Sequence, residues 1–176
     1  MDIGFYYVDA EYIDYLKSIE KDSRGFTTVP NVIYNSREKF VYGAVLKINE
    51  YNYYVSVSSY TKKQQDNFLI KIKSRKELKV VGSLRFNYMF PVPDKCLKKL
   101  DYRTDSFDEA RTTLIAKEFI YCKTNYSKIV NAARKTYNRV INKVSSELEK
   151  YSCDFLLLEK ACDNYEKMTS EKNKTD

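Results

Sequence analysis

The spacing of apolar residues changes from a strand-like period to a helical period about halfway along the chain. Runs rich in β-branched and aromatic residues occupy 40–48, 51–57, 68–72, 80–86 and 88–90. Short polar links between such runs, the first at Asn49 and Glu50, are typical of an antiparallel sheet. Beyond residue 108, apolar residues recur at intervals of three and four, which indicates helices. The pattern predicts one α+β domain over residues 1–176, with a strongly twisted antiparallel sheet and a helical C-terminal half.

Capping residues set the limits of the predicted helices. Asp9 follows a short aromatic strand candidate at 4–8 and can cap a helix that ends near Lys21. Asp108 can cap a helix over 109–122, and a final helix is expected from Asp154. Between these two, apolar residues at helical spacing predict one long helix that contains Ile129, Ala133, Tyr137, Val140, Val144, Leu148 and Tyr151.

Positive charge is concentrated in one segment of the chain. The net charge is +7, and residues 37–85 contain eleven Lys or Arg but only four Asp or Glu, so this segment accounts for the whole excess. A localised basic surface favours a polyanionic partner. The 17 tyrosines and 9 phenylalanines supply aromatic faces on which unpaired bases can stack. Together these features favour a protein that binds nucleic acid.

The absence of histidine excludes several kinds of active site. A chain with no histidine has no Ser-His-Asp or Cys-His arrangement and no histidine metal site. It also has only four glycines and no glycine-rich phosphate loop. The four cysteines form no C-x-x-C pair, so we expect buried, reduced thiols rather than zinc ligands or disulfides at Cys96, Cys122, Cys153 and Cys162. We expect no metal ion and no other cofactor.

Hydroxyl and lysine side chains cluster just after the second strand of the predicted hairpin, at Ser58, Ser59, Lys62 and Lys63. Cleavage of RNA without a metal ion needs a proton removed from the ribose 2′-hydroxyl, a proton given to the 5′-oxygen, and stabilisation of the phosphorane charge. A lysine can supply the positive charge, and a lysine or a tyrosine can transfer protons. The same residue types also fit a polar turn at a strand end, so the cluster alone does not decide between the two interpretations.

The N-terminal residues give no sign of export. Residues 1–8 contain Asp2 and lack the basic segment and long apolar stretch of a signal peptide. No apolar run approaches the roughly 20 residues needed to cross a bilayer. We therefore expect a cytoplasmic protein without membrane contact.

Five motifs, in order along the chain, resemble those of the ToxN/AbiQ family of endoribonuclease toxins. They are 5–17 (FYYVDAEYIDYLK), Tyr34 with 37–39 (REK) and 41–46 (VYGAVL), 54–63 (YVSVSSYTKK), 82–92 (GSLRFNYMFPV) and 153–159 (CDFLLLE). The third motif departs from the family pattern, because Ser56 replaces a proline and Tyr60 and Thr61 occupy the place of one residue. The family's catalytic lysine therefore aligns with either Lys62 or Lys63, and we favour Lys62.

The resemblance implies a Kid/MazF-like sheet core extended by helices. It also implies metal-independent RNA cleavage by 2′-hydroxyl attack, which leaves a 2′,3′-cyclic phosphate. The system would be a type III toxin–antitoxin pair, in which the toxin processes a repetitive antitoxin RNA and each repeat, folded as a pseudoknot, inhibits one toxin. Toxin and RNA would alternate in a closed ring. The substrate would be cellular or phage mRNA. The system would serve phage defence or plasmid stability.

The resemblance also assigns roles to individual residues. Carried over by position, Ser58, Ser59 and Lys62 would form the catalytic loop. The candidate RNA contacts are Tyr12, Tyr34, Lys39, Lys63, Arg85, and Arg134 and Arg139 on the basic face of the long predicted helix. The sequence leaves two alternatives open: a non-catalytic RNA-binding module, and a protein with a Kid-like core that contacts DNA or a host factor.

Overall fold

A computed structural model describes residues 3–34, 37–74, 77–101 and 107–172. The strands are β1 (Phe5–Val8), β2 (Ile33–Tyr34), β3 (Arg37–Glu38), β4 (Val41–Ile48), β5 (Tyr51–Ser58), β6 (Asn67–Ser74), β7 (Glu77–Arg85), β8 (Phe90–Pro91) and β9 (Leu97–Lys99). The helices are α1 (Ala10–Arg24), α2 (Glu109–Thr124), α3 (Tyr126–Ile141), α4 (Ser146–Lys150) and α5 (Phe155–Lys172). Two short 3-10 turns, Phe86–Tyr88 and Asp94–Cys96, flank β8.

The main sheet is antiparallel and has the strand order β6-β7-β5-β4-β1-β9. β4 lies along one side of β5, while β8 and then β7 pair with the other side. β2 and β3 form a separate two-stranded ribbon that leads into β4. Four of the five helices follow the strands in the chain, which confirms the predicted α+β class with a helical C-terminal half.

The β4–β5 hairpin turns at Asn49 and Glu50, as predicted. Leu46 pairs with Tyr53 near the turn, and Asn49 has a positive φ of 51°. Asn tolerates this left-handed conformation better than most residues, because its short polar side chain can form local hydrogen bonds. The hairpin places the start of β4 beside the end of β5, where the hydroxyl and lysine cluster begins.

Helix α1 begins at the predicted cap and continues for about one turn beyond its predicted end near Lys21. The Asp9 carboxylate accepts a hydrogen bond from the Glu11 N–H at 2.8 Å. Gly25 ends the helix with a φ of 78° and donates its N–H to the Lys21 carbonyl at 2.8 Å. A glycine reaches this conformation without a steric penalty, so it sets the end of the helix.

Buried Glu20 joins the end of α1 to the start of α5. Its carboxylate accepts hydrogen bonds from the Arg24 guanidinium at 2.9 Å, the Thr27 hydroxyl at 2.7 Å and the Asp154 N–H at 2.8 Å. A charged group that is fully buried is tolerated only when it is paired and hydrogen-bonded, and Glu20 satisfies both conditions. This carboxylate therefore has a structural role.

The single long helix predicted over 129–151 is wrong, because the structure has α3 and the short α4 with a break at 142–145. Lys143 in the break has a φ of 50°, and the Ser145 hydroxyl accepts the Leu148 N–H to cap α4. The apolar spacing continues across the break without being buried: Val144 is 61% exposed and Tyr151 is 52% exposed. The spacing therefore does not mark one buried stripe.

The strand predicted over 88–90 is also wrong in its bounds. Residues Phe86–Tyr88 form a 3-10 turn, closed by a hydrogen bond from the Met89 N–H to the Phe86 carbonyl, and only Phe90 and Pro91 pair as β8. Pro91 fits there because β8 pairs with a single neighbouring strand.

Aromatic side chains fill the core between the sheet and the helices. The Tyr137 and Phe155 rings stack with centroids 5.4 Å apart, and the Tyr53 ring meets both edge-on. The Tyr53 and Tyr137 hydroxyls both donate to Glu159 Oε1, at 2.7 and 2.8 Å, so their polar ends are satisfied. All four cysteines are buried, as predicted. No helix among the described residues is long and apolar enough to cross a membrane.

Candidate active site

Three neighbouring strands bring distant parts of the sequence to one end of the main sheet. The Val57 N–H donates to the Phe40 carbonyl at 3.2 Å. In the antiparallel register of β4 and β5, this places Lys39 beside Ser58. On the other side of β5, Ser58 pairs with Ser83 of β7. The loop between β5 and β6, residues 59–66, begins at this point and is called the β5–β6 loop below. The candidate catalytic serines thus lie where β4, β5 and β7 meet.

Gly82 allows the backbone of Ser58 to approach β7 closely. A Cβ atom at position 82 would lie 2.6 Å from the Ser58 carbonyl oxygen and 3.8 Å from Oε1 of Glu118. The first distance is too short for any side chain, so the position requires glycine. The Ser58 hydroxyl accepts a hydrogen bond from the Tyr60 N–H at 3.2 Å, which starts the turn into the loop. Ser59 is exposed at the beginning of the same turn.

Asn67, the first residue of β6, organises the middle of the β5–β6 loop. Its side chain is almost fully buried, and Nδ2 donates to the Lys62 carbonyl at 2.9 Å. Oδ1 accepts the Gln64 N–H at 2.9 Å and the Lys63 ammonium at 3.2 Å. The Lys63 ammonium also donates to the Asn67 carbonyl at 2.5 Å. One buried amide therefore fixes the backbone at Lys62 and Gln64 and holds the Lys63 side chain between them.

The two candidate lysines have different environments. Lys63 is also exposed, but its ammonium is bound to Asn67 and supports the loop. The Lys62 side chain is exposed and has no hydrogen bond or ion pair within the described part of the chain. Lys62 thus combines a fixed backbone with an ammonium group that is available to an anion.

A second anchor holds the C-terminal end of the β5–β6 loop against α3. Arg139 Nη1 lies 2.6 Å from Asp66 Oδ1, and Nη2 donates to Gln65 Oε1 at 3.0 Å. The Thr136 hydroxyl donates to the same Asp66 oxygen at 3.0 Å. The guanidinium of Arg139, a predicted RNA contact, thus supports the loop, and its contact with RNA stays a prediction.

Arg85 contacts two tyrosine rings at the side of the loop. Its guanidinium carbon lies 4.4 Å from the Tyr88 ring centroid and 5.2 Å from the Tyr60 ring centroid, and Nη2 donates to the Tyr88 hydroxyl at 3.2 Å. The buried Ser83 hydroxyl holds Tyr60 by donating to its carbonyl at 2.7 Å. Arg85 Nε is buried and has no hydrogen-bond partner among the described residues.

Tyr12 does not reach the candidate site. Its side chain is completely buried, and its hydroxyl donates to the Pro91 carbonyl at 2.8 Å. Burial raises the pKa of this hydroxyl well above its usual range, which disfavours proton transfer by Tyr12. The prediction that Tyr12 contacts RNA is wrong for this structure, because its apolar helix face packs into the core.

The remaining candidates occupy three different places. Tyr34 belongs to β2, which pairs with β3 just before Lys39, and the Tyr34 side chain lies outside the described parts of the structure. Lys39 is exposed and lines a cavity of about 290 Å³ together with Lys95 and Lys98. Arg134 is exposed on α3, and about 100° of rotation per residue places it roughly 140° around the helix from Arg139. Arg134 is therefore not part of the loop anchor.

Several residues of the site have no signal in the sequence. Three polar residues support the loop through hydrogen bonds to Lys62, Tyr60 and Asp66: they are Asn67, Ser83 and Thr136. Each of these residue types is common in ordinary strands and helices, so the sequence does not single them out. Glu118 of α2 is only 6% exposed beneath Gly82, and burial raises its pKa to about 7 although Arg111 opposes the shift. Among the described residues, no three His, Cys, Asp or Glu side chains form a cluster that could hold a metal ion.

Solved structures of type III toxins have a similar fold. One is a toxin from a system in which a non-coding RNA pseudoknot selectively inhibits the toxin; it superposes with a TM-score of 0.76 at 28% identity, over 94% of this chain and 99% of the other. Another is AbiQ, a lactococcal anti-phage endoribonuclease, with a TM-score of 0.76 at 27% identity, over 95% of this chain and 99% of the other.

The sequence comparisons agree with the structural ones. Endoribonuclease ToxN of Bacillus thuringiensis subsp. kurstaki is 29% identical over 97% of this chain and 88% of its own length. Endoribonuclease AbiQ of Lactococcus lactis subsp. lactis is also 29% identical, over 97% of this chain and 93% of its own length. Residues 4–163 match the model of the family described as toxin ToxN, type III toxin–antitoxin system. Since this match covers most of the chain, the protein belongs to the ToxN family of type III toxin–antitoxin toxins.

Proposed function

We propose that this chain, an endoribonuclease toxin of a type III toxin–antitoxin system, cleaves RNA without a metal ion through the β5–β6 loop. In the proposed reaction, the ribose 2′-hydroxyl attacks the neighbouring phosphorus, the bond to the 5′-oxygen breaks, and a 2′,3′-cyclic phosphate and a 5′-hydroxyl result. One proton passes from the 2′-oxygen to a base and one passes from an acid to the departing 5′-oxygen, roles that a lysine, a tyrosine or water can take, so the step is neutral in protons.

The observation that carries this assignment is the difference between Lys62 and Lys63. The loop backbone is fixed at Lys62 by Asn67, yet the Lys62 ammonium is exposed and has no partner among the described residues. A preorganised cation placed where negative charge develops stabilises a transition state without reorganising. We assign this role to Lys62, and to Lys63 the support of the loop.

The serine hydroxyls fit a role in binding the phosphate. Ser59 is exposed and can donate its hydroxyl proton to a phosphate oxygen. The Ser58 hydroxyl accepts from the Tyr60 N–H, so its own proton is available for donation. Lys39 lies beside Ser58 and adds positive charge on the β4 side of the site.

For partners, we propose an antitoxin RNA with pseudoknot repeats, cleaved into repeats by the toxin and assembled with it into a closed ring. The basic segment 37–85 contributes β4 to β7 and the β5–β6 loop, so the charge excess and the candidate site lie in the same part of the fold. Cellular or phage mRNA would be cleaved in the cytoplasm once the antitoxin is lost. An inhibitory RNA pseudoknot in a similar system supports this proposal.

The experiment compares wild type, Lys62→Ala, Lys62→Arg and Lys63→Met on an unstructured RNA in EDTA. The proteins are first freed of copurified RNA and checked for folding by circular dichroism. We expect wild type to leave cyclic-phosphate ends, Lys62→Ala to lose at least a hundredfold in kcat, and Lys62→Arg to retain part of the activity as a fixed cation. Lys63→Met should lose stability and only part of its activity. Full activity of Lys62→Ala would refute the assignment, and dependence of wild type on a divalent metal would refute the proposed chemistry.

A further inference from the structure

A polar cavity of about 380 Å³ opens beside the β5–β6 loop. Gln64, Gln65 and Asp66 of the loop form one wall, Arg85 and Tyr88 form a second wall, and α4 with the segment before it closes the third. Gln64 is two residues from Lys62, so at most about 7 Å of backbone separates them. The cavity is therefore within reach of a nucleotide that flanks the phosphate bound at Lys62.

One wall of the cavity carries two planar groups. The Arg85 guanidinium carbon lies 4.4 Å from the Tyr88 ring centroid, and Arg85 Nη2 donates a hydrogen bond to the Tyr88 phenolic oxygen. Nucleobases stack on tyrosine rings and on arginine planes in proteins that bind single-stranded RNA. Arg85 also lies 5.2 Å from the Tyr60 ring centroid, and this contact joins the wall to the β5–β6 loop.

The opposite walls carry carboxylate acceptors. Asp66 and Glu147 both line the cavity, together with the Arg139 guanidinium that pairs with Asp66. The Asp66 carboxylate is held in place through Oδ1 by Arg139 and Thr136, which leaves Oδ2 without a hydrogen bond among the described residues. A carboxylate accepts a hydrogen bond from the exocyclic amino group of a base, as in recognition of cytosine N4. The chemistry of the cavity therefore matches the edge of a base.

We propose that this cavity binds one nucleobase that carries an exocyclic amino group, next to the cleaved phosphate, with the base stacked on Arg85 and Tyr88 and its amino group bound by Asp66 and Glu147. The site rests on the proposed ribonuclease activity and makes the toxin selective for the base at one position. Uracil, which has a carbonyl in place of the amino group, binds there less well. A preorganised acceptor such as Asp66 gives this selectivity without movement of the loop.

The test is a double-mutant cycle between the protein and the RNA. A short RNA with one mapped cleavage site carries a 2′-deoxy residue at that site, so it binds without being cleaved, and an abasic residue is placed at each flanking position in turn. We expect Tyr88→Ala and one particular abasic substitution each to weaken binding about tenfold, and the two together to weaken it no further. Independent effects of the protein and RNA changes at every position would overturn the proposal.

A second variant addresses base identity without altering the stacking surface. Glu147→Gln should reduce the cleavage preference for adenosine over purine riboside, which lacks the amino group, by fivefold or more at the coupled position. Glu149→Gln is the matched control, because Glu149 lies on the same short helix but pairs with Lys143 and lies outside the cavity. An unchanged preference in Glu147→Gln, or an equal loss in both variants, would overturn the base assignment.

The two proposals fail in different ways. Coupling between Tyr88 and an abasic position without cleavage by wild type in EDTA would refute the proposed reaction and leave the base site intact. Metal-independent cleavage by wild type without such coupling would refute the base site and leave the reaction intact.

Discussion

Asn67 Nδ2 donates a hydrogen bond to the carbonyl of Lys62 at 2.9 Å from a side chain that is only 3% exposed. The same amide group also fixes Gln64 and Lys63 through Oδ1. Its loss would free the segment that presents the exposed lysine. Because preorganised charge stabilises a transition state most effectively, the effect should fall on the chemical step rather than on RNA binding.

Asn67→Ala is therefore expected to lower kcat at least tenfold with little change in KM, and to reduce the free energy of unfolding by about 1–3 kcal/mol through unsatisfied buried groups. Steady-state kinetics and urea denaturation measure the two effects separately. Asn67→Asp retains the acceptor for Gln64 and Lys63 but not the donor to Lys62, so it should lose less stability while still losing activity. A change in KM alone would contradict the positioning role.

Arg139 and Arg134, on the same helix, should differ in their effects on RNA. Arg139→Ala removes the ion pair with Asp66 and is expected to slow cleavage five- to twentyfold with a small effect on the salt dependence of antitoxin binding. Arg134→Ala removes an exposed charge and should leave cleavage of a short RNA unchanged. If Arg134 contacts a phosphate of the antitoxin, its loss reduces the slope of log affinity against log salt by about one. Equal effects of the two variants on cleavage would argue against the loop anchor.

Gly82→Ala should damage the site through a steric clash with the Ser58 carbonyl, which lies 2.6 Å from the added methyl group. We expect a loss of about 1–3 kcal/mol in the free energy of unfolding and a tenfold or greater fall in kcat, because Ser58 must move. Gly25→Ala is the matched control: its φ of 78° strains an alanine, yet nothing lies within 4 Å of the new methyl group. That variant should lose stability without losing activity, and a loss of activity in both would remove the argument for Ser58.

Glu118 should make the folded protein less stable as pH rises. Burial raises its pKa from 4.5 to about 7, so the folded state binds more protons than the unfolded state between these pH values. The stabilising contribution is complete below about pH 4.5 and declines as pH rises through 7. Glu118→Gln cannot ionise, so the difference in unfolding free energy between wild type and this variant should shift in favour of the variant as pH increases. Parallel pH profiles, measured by urea denaturation from pH 5 to 8, would contradict this account.

Tyr12→Phe tests whether Tyr12 is only structural. Loss of its hydroxyl leaves the buried Pro91 carbonyl without this donor, and we expect a loss of about 1–2 kcal/mol in the free energy of unfolding. The cleavage rate per folded molecule should remain within twofold of wild type. A large fall in kcat with normal stability would restore a role for Tyr12 in the reaction.

Local sequence signals predict much of this fold, because strands, turns and caps are set by neighbouring residues. The β4–β5 hairpin and the Asp9 cap follow from such patterns. The break between α3 and α4 does not, since Val144 keeps the helical spacing although the backbone at Lys143 leaves the helix. Apolar spacing indicates a possible helix, and only the tertiary packing decides whether a residue is buried.

The candidate site divides in the same way. Ser58, Ser59 and Lys62 lie close in sequence, so a motif could point to them together. The bond between Asp66 and Arg139 joins residues 73 positions apart, and nothing in either segment identifies the other. The different environments of Lys62 and Lys63 likewise depend on the buried Asn67 side chain and could not be read from two adjacent lysines.

The anchor between Asp66 and α3 has a consequence for how such toxins can be recombined. The β5–β6 loop belongs to the sheet half of the chain, but Arg139 and Thr136, which hold its end, come from the helical half. A chimera that joins the sheet of this toxin to the helices of a relative would keep every residue of the loop, but it would lose this support if the relative's helix has no equivalent of Arg139 and Thr136. Such hybrids should be active only when the two sides of the anchor match, so each half of the chain constrains the other.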